Sequence, residues 1–456
     1  MTAAKLDPFY LIVDDADWLT RLLPLGVKLV QLRVKDRPEQ DLRAQIAAAR
    51  DICAQHGAQL VVNDYWRLAI DAGCDFVHLG QSDLDFADIP ALRRAGVSLG
   101  VSTHTDAELD RAMALAPDYV ALGPIYPTLL KQMEFAPQGL ARIGAWKAQI
   151  GETPLVAIGG LTPERAIAAL AAGADSACVV TDVLRNAEPE ARAREWLSAT
   201  RPWRDGEGFF APDYAGARVC PSPNHGARLR PISSLVLHYT GMQTAESALA
   251  LLCSPRAQVS AHYVVNEDGG VLQLVPESQR AWHAGKSFWA GETDMNSASI
   301  GIEIVHPGHD DPRPYPAAQI EATAALAKDI CRRHAIPPER VLAHSDIAPG
   351  RKRDPGEFFP WEALARDGVG RIVEDNPGAG ATTVSPGDAG AKIASLQRDL
   401  AALGYGVEPT GVYDAQTLQA VEAFQRHFRR AKVDGHADGE TRVALARLVA
   451  ALGERV

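Results

Sequence analysis

A chain of 456 residues is too long for one ordinary core, so two or three domains are expected. Its 46% hydrophobic and 23% charged residues are those of a soluble globular protein, and the net charge of −11 argues against general nucleic-acid binding. The six cysteines, at 53, 74, 178, 220, 253 and 331, form no CxxC pair, a pattern of reduced, mostly buried thiols rather than of a disulfide framework, which favours the cytosol.

The opening stretch, MTAAKLDPFYLIVDDADWL, places no long apolar core after a basic segment, so neither a signal peptide nor a membrane span is expected. Eight short apolar runs follow: FYLIV 9–13, LVQLR 29–33, LVVND 60–64, FVHLG 76–80, SLGVST 98–103, YVALGP 119–124, LVAIGG 155–160 and ACVVT 177–181. Most are followed by an Ala-rich amphipathic segment such as EQDLRAQIAAARDICAQHG. Buried strands alternating with helices predict a parallel (β/α)8 TIM barrel over 1–200, with a doubly wound open sheet as the alternative.

In such a barrel, functional groups belong at the C-terminal ends of the strands. There the sequence offers Gln31, Arg33 and Lys35, then Asn63 and Asp64, then Gln81 and Asp83, Ser102, Thr128 and Lys131, and the pair Gly159–Gly160. Asp64 and Asp83, ringed by Arg33, Lys35 and Lys131, suit Mg²⁺ holding a diphosphate. A glycine pair after a strand lets backbone N–H groups approach a phosphate.

The strings QLRVK, VVNDYWRLAI, HLGQSDL, LGVSTHT, KQM…APQGL and VAIGG, in that order over residues 8–198, resemble thiamine-phosphate synthase. The resemblance implies that Mg²⁺ on Asp64 and Asp83 assists diphosphate departure from hydroxymethylpyrimidine diphosphate, after which the thiazole phosphate nitrogen captures the pyrimidine cation. It further implies that Gln31, Arg33, Lys35, Asn63, Ser102 and Lys131 contact the pyrimidine diphosphate, and that Thr128, Gly160 and Thr181 face the thiazole phosphate. Two positions depart from the family: TLLK stands where T-x-T-K is usual, so Leu130 replaces a hydroxyl, and Thr181 replaces serine. One lost hydrogen bond to a charged group costs about 1.5–3 kcal/mol. A degenerate barrel is therefore the alternative to a working synthase.

Residues 201–217, RPWRDGEGFFAPDYAGA, read as a connector. The region 218–370 mixes strand-like runs (SLVLHYT, AHYVVN, SIGIEIV) with one clear helix, PAAQIEATAALAKDICRRH, and so predicts a mixed α/β domain. Within it, LAHSDIAPGRKRDPGEFFPW carries His344 and Asp354 on one Pro/Gly-broken loop. A catalytic zinc takes three protein ligands, and His238, closing the run LVLHYTG, supplies the third. Glu303, an acid inside the apolar run SIGIEIVH, is costly to bury unless it has a task, and beside such a centre it can act as general base. Lys352 can stabilise the oxyanion formed when water attacks a carbonyl.

LVLHYTG, SAHYVV, QLVPESQRAWHAG, SIGIEIVH and AHSDIAPGRKRDPGEFFPW occur in the order seen in zinc-dependent N-acetylmuramoyl-L-alanine amidases of the AmpD-like, type-2 kind, which this region resembles. The resemblance implies Zn²⁺ on His238, His344 and Asp354, Glu303 as acid/base, Lys352 as transition-state stabiliser, and His262, Trp282 and His283 along the cleft. It also implies peptidoglycan or muropeptides as substrate. The alternative is a non-catalytic peptidoglycan sensor with a spent barrel, although such modules lack a zinc ligand.

EDNPGAGATTVSPGDAGA, within 371–391, reads as a flexible linker. Residues 392–456 hold three short amphipathic segments with Asp414 and Asp438 as N-caps, and Leu396, Leu400, Leu403, Val421, Phe424 and Leu445 as the core. This small all-α part resembles the three-helix peptidoglycan-binding domain, which implies that it tethers the amidase to its polymer. The barrel's substrates point to the cytoplasm, and the wall-binding part to a periplasmic or wall-associated place.

Overall fold

The computed structural model describes residues 6–128, 136–206, 210–373 and 382–453. The chain forms two compact units, Met1–Phe209 and Phe210–Val456.

In the first unit eight parallel strands close a barrel in sequence order: β1 (Phe9–Val13), β2 (Leu29–Leu32), β3 (Gln59–Asn63), β4 (Phe76–Leu79), β5 (Ser98–Thr103), β6 (Tyr119–Leu122), β7 (Leu155–Ile158) and β8 (Ser176–Val179). All eight predicted runs are strands, and the open-sheet alternative is set aside by the pairing of β1 with β8. The alternation of side chains along each strand splits the apolar residues into two cores. Phe9, Leu11, Val30, Val62, Val77, Leu99 and Val120 face outward against the helices, among them Glu39–His56 and Pro189–Asp205. Tyr10, Ile12, Leu29, Val61, Phe76, Tyr119 and Val156 fill the barrel. Each fully buried side chain of this size stabilises the fold by about 1.5–3 kcal/mol.

Gly100 is the glycine the interior requires. A Cβ there would lie 2.1 Å from the ring of Tyr119, so only glycine admits the tyrosine.

The second unit is built on a six-stranded sheet. Its strands are β9 (Ala217–Val219), β11 (Ser234–Tyr239), β12 (Tyr263–Val265), β13 (Val271–Gln273), β15 (Ser299–Ile304) and β16 (Val341–Ala343), in the order β16-β11-β15-β12-β13-β9. A two-stranded ribbon pairs β10 (His225–Ala227) with β14 (Gln279–Ala281). One sheet face is apolar: Leu235, Leu237, Tyr263, Ile300, Ile302 and Ile304 pack on Ile320, Leu326, Ala327 and Ile330 of helix Ala317–His334. By the same alternation Val236, His238, Gly301 and Glu303 share the other face, with His238 and Glu303 in register across β11 and β15.

All six cysteines are free, and the Cys220 and Cys253 sulfurs, 3.8 Å apart, are in contact rather than bonded.

The three C-terminal helices are Ala391–Leu403, Ala415–Phe428 and Gly439–Gly453. Asp414 accepts from the Thr417 N–H (2.8 Å) and Asp438 from the Thr441 N–H (3.0 Å), the two expected caps. All six predicted core residues are buried. The bundle does not hang free of the rest of the unit. Its core runs on into Val236, Ala284, Trp289, Met295, Leu342 and Ile347 of the amidase-like part. Of the expected linker, 374–381 lie outside the described residues, whereas Val384 is buried and bridges Ala437.

Candidate active sites and metal centre

In the second unit the C-terminal end of β11 brings His238 to the loop after β16 that carries His344 and Asp354. His238 Nδ1 lies 2.9 Å from His344 Nδ1 and 3.0 Å from Asp354 Oδ2, and His344 Nδ1 lies 2.8 Å from the same oxygen. All three side chains are buried. The hydrogen bonds behind them fix what these atoms can be. His344 Nε2 faces the Ala284 carbonyl at 3.1 Å, so it carries the proton. Ser299 Oγ donates to the Met295 carbonyl and can accept from His283 Nε2–H, which leaves His283 Nδ1 to accept from His238 Nε2–H at 3.0 Å. Both Nδ1 atoms then present lone pairs to each other and to a carboxylate. Three acceptors converging with no donor between them could hold a cation, and the N₂O donor set suits zinc. Among the described residues this is the only such group of His, Cys, Asp and Glu.

Electrostatics agree. Burial, then the neighbouring His344, pushes the His238 imidazole down to about 4, so it stays neutral. Glu303 is driven the other way: burial, then the Asp354 charge, raise its carboxyl well above the usual value, with Lys352 opposing. Its Oε2 is buried without a hydrogen-bond partner, the condition of a group kept for a reaction. Glu303, Lys352, Tyr239, Trp282 and His283 line a cleft of about 400 Å³ that also reaches His344 and Asp354.

His262 stands differently from its expected place in the cleft. It is fully buried behind the sheet, where its Nδ1 accepts from the Gly301 N–H at 3.0 Å and its ring meets the edge of His283. The alternation that puts Tyr263 into the apolar core turns His262 to the side of His283 but not to solvent. It is a support, not a lining residue.

In the barrel a single proton-ordered chain links several expected residues. Gln31 Nε2 donates to Tyr10 Oη (2.9 Å), Tyr10 contacts Tyr119 Oη (3.0 Å), Tyr119 contacts His78 Nδ1 (2.7 Å), and His78 Nε2 contacts Ser102 Oγ (2.7 Å). In one of the two orderings open to this chain each hydroxyl passes its proton onward from the amide and His78 Nε2–H donates to Ser102. The Ser102 hydroxyl hydrogen is thereby left for a ligand oxygen. Burial, then Arg33, brings the His78 imidazole down to about 4, consistent with one proton on its ring.

Asp64 sits just past β3 at φ 63°, a left-handed backbone that turns it out of the strand. Burial, then the facing Asp83, raises the Asp64 carboxyl, while Lys35 and Arg33 oppose the rise. Two mutually repelling carboxyls beside two cations fit a Mg²⁺–diphosphate pair. Asp83 also accepts from the Gly80 N–H at 3.0 Å, and Asn63 Nδ2 is buried without a partner. Gly160 has φ +66°, and a Cβ there would lie 2.5 Å from the Pro127 carbonyl, so the turn after β7 requires glycine. Thr181 opens the short helix Thr181–Leu184, and Thr128 lies on the loop after β6. Lys131 and Leu130 lie outside the described residues.

Sequence reasoning missed Tyr10, His78 and Tyr119. Their signal was an inward parity in strands that otherwise read as apolar. It also missed Asp346, two residues past His344, whose partners are remote in sequence.

Comparison with known proteins follows the same division. Residues 9–183 match the thiamine monophosphate synthase family, 228–357 the N-acetylmuramoyl-L-alanine amidase family and 389–445 a peptidoglycan binding domain family. The chain is 64% identical over 200 residues to the thiamine-phosphate synthase of Rhizobium etli, covering 44% of this chain and 98% of that protein. It is 47% identical over 192 residues to that of Cronobacter sakazakii, covering 42% and 88%. Among solved structures, AmiD of E. coli, an N-acetylmuramyl-L-alanine amidase in complex with the substrate anhydro-N-acetylmuramic acid-L-Ala-D-γ-Glu-L-Lys, is 39% identical, covering 50% of this chain and 93% of that one, at a TM-score of 0.42. The chain belongs through its barrel to the thiamine-phosphate synthase family, and continues in the same polypeptide as an N-acetylmuramoyl-L-alanine amidase domain followed by a peptidoglycan binding domain.

Proposed function

We propose that the second unit hydrolyses the amide between the lactyl group of N-acetylmuramic acid and L-alanine, in peptidoglycan or its soluble fragments, at a zinc centre held by His238, His344 and Asp354. The observation that carries this reading is the convergence of two imidazole lone pairs and one carboxylate oxygen within 3.0 Å of one another. Zinc bound there supplies Lewis acidity to the carbonyl and the attacking water. Glu303 takes a proton from that water as its oxygen bonds to the carbonyl carbon, and returns it to the alanine nitrogen as the C–N bond breaks. Its buried, partnerless Oε2 makes it a strong base once a cation balances Asp354. Lys352, lining the same cleft, sets a positive charge against the oxygen that becomes negative. Trp282 gives the cleft an apolar wall for sugar or peptide.

The barrel makes thiamine phosphate in this reading. Diphosphate leaves hydroxymethylpyrimidine diphosphate with the electrons of its C–O bond, and the thiazole nitrogen lone pair closes the new C–N bond. Asp64 and Asp83 would hold a Mg²⁺ ion, which would supply positive charge to the leaving diphosphate. Ser102, Arg33 and Lys35 bind its oxygens, Gln31 and Asn63 meet the pyrimidine, and Thr128, Gly160 and Thr181 meet the thiazole phosphate. No described helix is long and apolar enough to cross a membrane. The barrel's substrates favour the cytoplasm, where the amidase acts on returned fragments.

Glu303→Gln tests the amidase reading. Zinc content stays at the wild-type level while cleavage of a soluble muropeptide falls about 10²–10⁴-fold, the span of a general base. A variant cutting at the wild-type rate removes Glu303 from the mechanism.

A further inference from the structure

We propose that the C-terminal bundle is a working part of the amidase centre, holding the metal-ligand loop 344–359 in place, with Asp346, Tyr405 and His427 as positioning residues. The inference rests on the zinc reading of His238, His344 and Asp354.

Asp346 is fully buried two residues past His344, and it accepts three hydrogen bonds. One comes from the Ala343 N–H of its own turn at 2.8 Å. The other two come from the bundle: Tyr405 Oη–H to Oδ1 at 2.6 Å and His427 Nδ1–H to Oδ2 at 2.7 Å. A buried carboxylate is costly unless its oxygens are paired, so these donors fix the turn that aims His344. The donors are themselves seated in the interface. The Tyr405 ring meets Trp289 edge-on at 4.9 Å, and His427 stacks on Trp361 at 3.8 Å.

The rest of the loop is held from the same side. Gly350 abuts Gln419 so closely that an added Cβ would lie 2.4 Å from its amide carbon. Arg430 donates to the Phe359 carbonyl at 2.9 Å. Arg426 approaches Glu357, three residues past Asp354, at 4.0 Å. Glu357 in turn pairs with His309 at 3.0 Å, and His309 with the hydroxyl of Tyr239, the neighbour of His238, at 2.9 Å. Contacts from the bundle thus reach within three residues of His344 and Asp354 directly, and reach the neighbour of His238 through Glu357 and His309. Groups that orient ligands in this way alter metal affinity or activity by about 10–100-fold when removed.

Full-length Tyr405→Phe and Asp346→Asn are compared with wild type in three measurements: zinc affinity by chelator competition, kinetics on a soluble muropeptide, and hydrogen exchange of the zinc-free protein. The expected result is zinc binding weakened about tenfold, kcat lowered severalfold with KM within about twofold, and faster exchange confined to 344–359. Retention on insoluble peptidoglycan stays at the wild-type level. Unchanged zinc affinity and kcat overturn the proposal, as does a change in KM on polymeric wall alone. Slackening spread over the whole unit counts against it equally, since that is general destabilisation. Failure of the underlying zinc reading looks different: the wild-type chain itself would then bind no zinc and cleave nothing.

Discussion

Gly301→Ala adds one carbon on the sheet face that carries His238 and Glu303. The new Cβ would sit 2.5 Å from Cγ and Nδ1 of His283, against an ordinary carbon contact of about 3.5–4.0 Å. The ring must therefore retreat by about 1 Å. His283 Nδ1 now lies 3.0 Å from His238 Nε2, so the same retreat stretches that hydrogen bond to about 4 Å and breaks it. Overpacking costs about 1–3 kcal/mol and the lost hydrogen bond about 1 kcal/mol, giving about 2–4 kcal/mol of destabilisation. The released His238 ring also loses its fixed tautomer, and zinc binding weakens about 10–100-fold. Calorimetry and chelator competition on the full chain read the two effects separately. Gly226→Ala is the control, because its added carbon meets nothing nearer than 3.9 Å, and zinc affinity there stays within about twofold. Wild-type zinc binding by Gly301→Ala would refute the claim that His283 orients His238.

Two further outcomes follow from buried networks. Glu277 accepts from Tyr263 (2.6 Å), His334 (2.6 Å) and Arg333 (2.7 Å), and although burial opposes its charge, these partners hold it down to about 2. A folded value below the unfolded one gives stability that is full above about pH 4.5 and lost as pH falls toward 2; Glu277→Gln removes up to about 3 kcal/mol at pH 7 and flattens that acid limb in urea titrations at several pH values. In the barrel, Gly100→Ala drives a carbon into Tyr119 at 2.1 Å, costs about 1–3 kcal/mol, and lowers synthase turnover by breaking the contact to His78; unchanged melting and turnover would show that the tyrosine is free to move.

Much of this was legible in the sequence because it is written locally. Eight apolar runs at regular spacing are a barrel wherever the rest of the chain goes, and Asp414 and Asp438 cap helices with their own next turn. Glu303 was legible because an acid inside an apolar run is a costly placement, whereas the proposed metal ligands were marked chiefly by the resemblance of the motifs that carry them. What escaped depends on distant partners. Asp346 sits in the quoted loop, but its meaning lies in Tyr405 and His427, which are 59 and 81 residues away. The seating of the bundle escaped for the same reason. Composition describes 374–391 as loose, and nothing in that stretch reveals that Trp289, Met295 and Ile347 offer the helices an apolar seat. His262 escaped for the same reason: alternation turns it to the face of His283, but contacts with Arg228 and the Gln279 carbonyl, remote in sequence, bury it.

Both units solve one problem with the same device. An imidazole can act as a defined donor or ligand only if its ring is held and its proton placed, and in a packed sheet the holding group needs room. In the barrel Gly100 opens that room for Tyr119, whose hydroxyl fixes His78 and, through it, the free hydrogen of Ser102. In the amidase domain Gly301 opens it for His283, which fixes His238 so that its lone pair faces His344 and Asp354. Each glycine lies on a strand beside the reactive end, and each gives up side-chain packing of its own. That loss is intelligible only if the ring it admits matters more than the core it leaves unfilled, so alanine at either position should harm the local chemistry more than the fold.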